Sequence, residues 1–382
     1  MKSNLTRPKV FIIISILICL TCLSCNNNKK SSTINHFLTK SDTINISSDT
    51  GNYSGFIKGA SKLSFVVLKE DDKTMFADIN RIIDFNDKYF IVDSYGVRTV
   101  VSFDHDGNPI TSYGKRGNGP GEYVFPWAVD VDDKNVYILD ASQKKLMKYT
   151  HDGNYQSTKE MPFRAGSFIM LDSNKILFNL EPTEETSYQL CITDSTLTPL
   201  TYMLPYPKDY VGGWVTNDVF RKTSNGITYY LSPADTIYHI NSDGLIDGKR
   251  ILNLKKGALP EEAKLNYIAA ESKGLLEKGS QLLNNPVEVA SGVFLSEIYD
   301  KQEKFYIIGD LKTGECHAKK YGENMSVHDA IIPYATSQDN KCSISILDNT
   351  IAEDCIDFKS LPDSIINAMS NGNRVLVIHR FN

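Results

Sequence analysis

The 382-residue chain predicts an all-β architecture: a six-bladed β-propeller whose blades are four-stranded antiparallel sheets. Three observations carry this prediction: a repeat of about 45 residues, turn chemistry at the same point of each copy, and enough copies to close a ring. Residues 82–93 and 128–140 each read as a β-rich strand, an Asp/Asn/Lys turn and a second strand ending in Asp. Each copy then runs on to an Asp-Gly hairpin, ending at Gly107 and Gly153. The strand-end acids Asp93 and Asp140 are 47 positions apart and the two glycines 46. A third late hairpin, 237–244, puts Gly244 91 positions after Gly153, which is two periods. The unit between is weaker, with strands at 168–178 and 188–194, and further strands follow at 292–299, 304–310 and 373–379. One such sheet cannot bury both faces alone, whereas stacking around an axis buries them and removes most open edges. Roughly 300 residues at 45 per unit allow six or seven blades, and six are counted.

From the N-terminus, Lys2, Arg7 and Lys9 precede an apolar stretch, 10–23. It is short for a bilayer-spanning helix, which needs about 20 residues, and it fits the h-region of a secretory signal. Ser24-Cys25 follows, then the polar run 26–33. This resembles the bacterial lipoprotein signal, in which a small residue precedes a cysteine that is acylated and becomes the new N-terminus. Residues 1–24 are therefore read as the signal peptide, Cys25 as the lipid attachment site, 25–52 as a lipidated polar tether and 53–382 as the propeller. The expected location is the cell envelope, with the body anchored to the outer membrane.

Beyond the signal lie Cys191, Cys316, Cys342 and Cys355. An exported compartment permits disulfides, and four cysteines allow three pairings; free buried thiols are the other reading. No cysteine or histidine spacing suits zinc. One segment departs from β: 259–283 carries Leu265, Ile268, Ala269, Ser272, Leu275, Leu276, Leu282 and Leu283 on one helical face, behind Pro260, Glu261 and Glu262. It reads as a helical insertion packed on the propeller.

Between the first two repeats stands the run 113–123, with Gly114, Gly117, Gly119, Pro120, Gly121 and Glu122. A phosphate-binding loop would open a helix, but a β pattern follows here, so the glycines serve a tight structural turn between blades. With the hairpin Phe103-Asp-His-Asp-Gly107 before it and the Asp130-to-Asp140 strand pair after it, this region resembles the six-bladed β-propeller lipoproteins of Gram-negative gut bacteria, which are similar to NHL-repeat propellers. The resemblance runs over 53–382. It implies the fold and an envelope location, and it implies no catalytic residues.

Chemistry is sparse. There is no nucleophile elbow and no zinc-protease helix. His105 and His151 hold equivalent hairpin positions. The run 102–107 mimics part of a calcium loop, but Tyr113 stands where the closing Glu belongs, so a structural calcium lacks support and no cofactor is expected. Asp93 and Asp140 are explained by bracing of turns. With 41 Lys and Arg against 46 Asp and Glu, the chain is a poor partner for nucleic acid. Propellers bind ligands at the mouth of the central channel. Trp127 and Trp214 fall in inter-blade loops, and with Arg98, Arg116, Lys208 and Asp218 nearby they make a candidate surface for a sugar ring or an extended peptide. The chain thus reads as a lipid-anchored, non-enzymatic binding module for a glycan, a peptide or an envelope protein partner. The alternative is a propeller hydrolase or lyase, with or without a metal, acting on a saccharide or small molecule at the same mouth.

Overall fold

The computed structural model describes residues 32–33, 40–48 and 51–382, less 173, 184–185, 215, 217, 323–324, 330–332 and 348–356. The signal, Cys25 and Cys355 lie outside the described residues.

Six antiparallel sheets surround an axis. From the inner strand outward, blade 1 is Arg81–Phe85, Lys88–Asp93, Thr99–Asp104 and Pro109–Ser112. Blade 2 is Ala128–Val131, Asn135–Asp140, Lys145–Thr150 and Tyr155–Glu160. Blade 3 is Ala165–Met170, Lys175–Leu180, Tyr188–Asp194 and Pro199–Pro205. Blade 4 is Phe220–Thr223, Gly226–Tyr229, Thr236–Ile240 and Ile246–Leu254. In blade 5 two short inner pieces, Ser280–Leu282 and Val287–Glu288, pair with Val293–Asp300, followed by Glu303–Asp310 and Cys316–Lys320. Blade 6 joins the two ends of the ring: Ala335–Thr336, Cys342–Leu347 and Val375–Phe381 come from the C-terminal side, and Ser61–Val67 supplies the outer strand. The first-to-second and third-to-fourth turns of each blade lie on one face of the ring, the hairpin face. The second-to-third turns and the blade-to-blade loops lie on the other, the crossover face.

Strand periodicity explains the ring. Successive side chains point to opposite faces of a sheet, so a strand buried on both sides serves two neighbours. On Lys88–Asp93, Phe90 and Val92 pack toward blade 2 with Val129, Val136 and Ile138, while Tyr89 and Ile91 pack toward blade 6 with Ile344 and Leu376. Every neighbouring pair of blades shares one such apolar cluster.

The structure differs from the sequence reading in two places. Lys40–Ile46, read as part of a free tether, pairs in parallel with the outer strand of blade 4. Its Ile44 and Ile46 are buried with Tyr230, Leu252 and Leu254, and Ser32–Thr33 pairs likewise with the outer strand of blade 3. The insertion is two short helices, Glu261–Leu265 and Tyr267–Ser272, with a strand beginning at Ser280, rather than one helix over 259–283. Asn266 breaks it: its backbone is extended and its side chain accepts the Ala269 N–H, capping the second helix. The buried face is accordingly Leu259, Ala263, Ala270 and Leu275, while Ile268 is 71% exposed.

A polar patch is set into the apolar interface of blades 5 and 6. His379 is fully buried there, its Nδ1 3.1 Å from Ser61 Oγ and its ring edge-on to His328. Burial, reinforced by the neighbouring His328, holds the imidazole down to about 3. The neutral ring therefore contributes stability that is whole above the unfolded value near 6.5 and is lost as pH falls toward 3. Across that window the wild type should lose about 1.4 kcal/mol per pH unit relative to His379→Gln, read by urea denaturation at stepped pH; parallel curves for the two proteins would refute a neutral buried His379. For the rim strand, Ile46→Ala should cost about 2–5 kcal/mol, and an unchanged urea midpoint would return residues 40–46 to the tether.

Candidate functional site

The inner strands bring charged side chains to the axis, where they pair across the ring. Asp218, in the loop entering blade 4, lies 3.0 Å from Arg81 Nε of blade 1 and 3.7 Å from Arg221 Nη2. Arg221 also donates through Nε to the Asn285 carbonyl (2.7 Å), between the two inner pieces of blade 5, and through Nη1 to the Tyr334 carbonyl (2.9 Å), in the loop entering blade 6. Lys222 donates to both carboxylate oxygens of Asp130 on blade 2, at 2.9 and 3.1 Å, and Asp130 accepts the Met170 N–H of blade 3 at 2.7 Å. All six blades thus meet in one ionic belt. The cavity it leaves is about 160 Å³, and a second, toward the crossover face, is about 60 Å³. Both are smaller than the roughly 300 Å³ at which enclosed ligand sites begin.

On the crossover face above this plug stands an aromatic shelf. Tyr95 is edge-on to Phe125 (5.5 Å) and to Trp127 (6.0 Å), and Phe125 lies 5.3 Å from Trp127. The Arg98 guanidinium sits 4.9 Å over the Phe125 ring. Tyr95 is 52% and Trp127 38% exposed, and both line the smaller cavity. The loops beneath are fixed by the two recurrent strand-end acids. Asp93 accepts the N–H groups of Ala77, Gly96 and Val97 at 2.9, 2.6 and 2.8 Å. Asp140 accepts those of Val124, Phe125 and Gln143 at 2.7, 3.2 and 3.1 Å.

Of the candidate binding residues, Arg98 and Trp127 come together on the shelf, Asp218 belongs to the belt, Lys208 is an exposed loop residue, and Arg116 and Trp214 lie elsewhere. Arg116 is exposed in a short parallel pair, Lys115–Arg116 with Glu122–Tyr123, and lines neither cavity. Trp214 packs edge-on against Tyr267 of the insertion, 5.0 Å away, as a wedge beneath it. Tyr95, Phe125 and the rest of the ionic belt carry little signal in the sequence, because their partners come from other blades; Asp218 stands out in the sequence as a charge near the aromatic loops, and the structure turns it onto the axis. A hint for Tyr95 was available: it follows the recurrent Asp93, but its counterpart 47 positions on is Ser142, which breaks the repeat.

The glycine-rich run is a knot between blades 1 and 2. Gly114 has φ +70°, and a Cβ there would sit 2.6 Å from the Tyr149 hydroxyl. Gly117 N–H donates to the Tyr123 carbonyl, Gly119 N–H to Glu122 Oε2, and the Tyr149 hydroxyl to the Gly121 carbonyl; Pro120 falls inside this turn. His105 and His151 each reach their own blade's first hairpin region, at Asp84 Oδ1 (2.7 Å) and the Asp132 carbonyl (2.8 Å). Cys191, Cys316 and Cys342 are free thiols, and burial pushes the Cys191 thiol up to about 12. Among the described residues, no group of three or more His, Cys, Asp or Glu is arranged to hold a metal ion, and no helix is long and apolar enough to cross a membrane.

A family model described as "Domain of unknown function (DUF4934)" matches residues 41–380. No curated protein matches the chain. Among solved structures, a Bacteroides fragilis NCTC 9343 protein inferred to be exported is similar at TM-score 0.71 and 17% identity, covering 90% of this chain and 100% of its own. A member of the duf4221 family from Bacteroides vulgatus ATCC 8482 is similar at TM-score 0.51 and 10% identity, covering 85% and 98%. At these identities the likeness is one of fold.

The belt itself is testable. Asp218→Asn leaves two guanidinium groups on the axis without their shared carboxylate and should cost about 3–5 kcal/mol in urea denaturation; a loss below about 1 kcal/mol would show that the pairs do not hold the ring.

Proposed function

The chain belongs to the DUF4934 family, and from that premise we propose that it is a lipid-anchored propeller of the cell envelope that binds an extended partner across its crossover face. The observation that carries the reading is the shelf of exposed Tyr95 and Trp127 about half-buried Phe125, flanked by Arg98, over an axis closed by ion pairs. An open shelf with no deep cavity behind it suits a ligand laid over the surface: a stretch of peptide from an envelope protein, or a glycan chain. Anchoring through Cys25 rests on the N-terminal signal, and kinship with NHL-repeat propellers rests on the hairpin and glycine-rich motifs. The exported character attributed to the Bacteroides fragilis neighbour supports the same compartment. A hydrolase or lyase draws less support, since the channel carboxylates Asp84, Asp130 and Asp218 are all paired with cationic side chains or backbone N–H groups and so offer no unpaired general base.

A thermal-shift screen of residues 31–382 against oligosaccharides, peptides and divalent metals tests this. A saccharide or peptide should raise the melting temperature of the wild type, and Trp127→Ala or Tyr95→Ala should abolish that rise at an unchanged baseline. Trp214→Ala should instead lower the baseline and keep the rise. A metal-driven shift that survives Trp127→Ala would move the catalytic reading ahead.

A further inference from the structure

We infer that the N-terminal rim strands set which way the propeller faces a bilayer: the hairpin face at blades 3 and 4 is held against the lipid surface, and the aromatic shelf is directed away from it. The inference rests on the reading of Cys25 as the anchor and adds an orientation to it.

Lys40–Ile46 is an integral strand. Its register with blade 4 is unbroken from Lys40 opposite Gly248 to Ile46 opposite Leu254. Asn253 Nδ2 donates to Asn45 Oδ1 at 2.7 Å, the Arg250 guanidinium lies 3.5 Å from Asp42, and Ile44 and Ile46 are buried. Upstream, Ser32 and Thr33 pair with Thr201 and Tyr202 of blade 3. A free tether over 25–52 could reach about 95 Å at full extension, whereas pairing at Ser32 leaves at most about 25 Å between Cys25 and the rim. A leash that short holds one side of the ring close to whatever holds the cysteine.

Strand direction decides which face. The outer strands of blades 3 and 4 start from hairpins at 195–198 and 241–245 and end in crossover loops. Both N-terminal strands are parallel to them, so the chain upstream of each leaves toward the hairpin face. Tyr95 follows the second strand of blade 1, and Phe125 and Trp127 lie in the crossover into blade 2, so the shelf is on the opposite face.

The test uses the full lipidated chain in vesicles doped with nickel-chelating lipid, whose headgroups relax a nearby nitroxide over a short range. Nitroxides are placed through Asp243→Cys on the hairpin face and Val97→Cys beside the shelf, with Cys316 and Cys355 changed to Ser. Relaxation enhancement should be severalfold larger at 243 than at 97, and twenty Gly/Ser residues inserted after Lys30 should erase the difference. Equal enhancement at the two sites, or more at 97, overturns the orientation while leaving the anchor intact. A Cys25→Ala protein that stays in the membrane fraction overturns the anchor and this inference with it.

Discussion

The inner strands of a propeller are edge strands facing one another across an axis, and their unpaired backbone groups must be satisfied without room for another strand. Here Arg221 and Asp130 do much of that, one donating to the Asn285 and Tyr334 carbonyls and the other accepting the Met170 N–H. Each charged group so used must be neutralised in a confined space, hence Asp218 between two arginines and Lys222 on Asp130. The blades pack through apolar clusters that are local to each pair of neighbours, whereas the belt also joins blades that are not neighbours in the ring.

That arrangement displaces function outward. With its axis filled by ion pairs, the ring offers partners its faces and its rim. The loops on the crossover face are stiffened by Asp93, which accepts four backbone N–H groups, and Asp140, which accepts three, so the shelf residues are presented on a rigid support rather than on mobile turns. Arg98, with φ +64°, takes its place over Phe125 at the end of the turn that Asp93 braces.

The repeat was legible because its turns are fixed by local chemistry. Gly107, for example, has φ +75°, and a Cβ there would meet the Val67 carbonyl of blade 6 at 1.9 Å, so the hairpin and the contact between blades demand the same residue. Asp93 and Asp140 are legible for the same reason. The site was half legible: Trp127 and Arg98 stand out by type, but Tyr95 and Phe125 acquire meaning only when two loops meet. The belt is spread over positions 81 to 222, with no spacing that marks it. Residues 40–46 alternate as a strand does, but the partner that converts them from tether to rim lies about 200 residues away. In the insertion, helical periodicity ran straight through Asn266, whose capping role outweighs the pattern around it.

Blade 6 pairs Ser61 with Phe381, among the first and the last residues of the ring to leave a ribosome. Contacts that distant in sequence form slowly, because the whole intervening chain must be gathered before they gain anything. Until the strand Val375–Phe381 is delivered, the early strand has no partner from its own blade. The circle is thus held shut by one antiparallel strand pair, and whatever loosens Ser61–Val67 from Val375–Phe381 opens blade 6 and exposes a strand edge on each side of the gap.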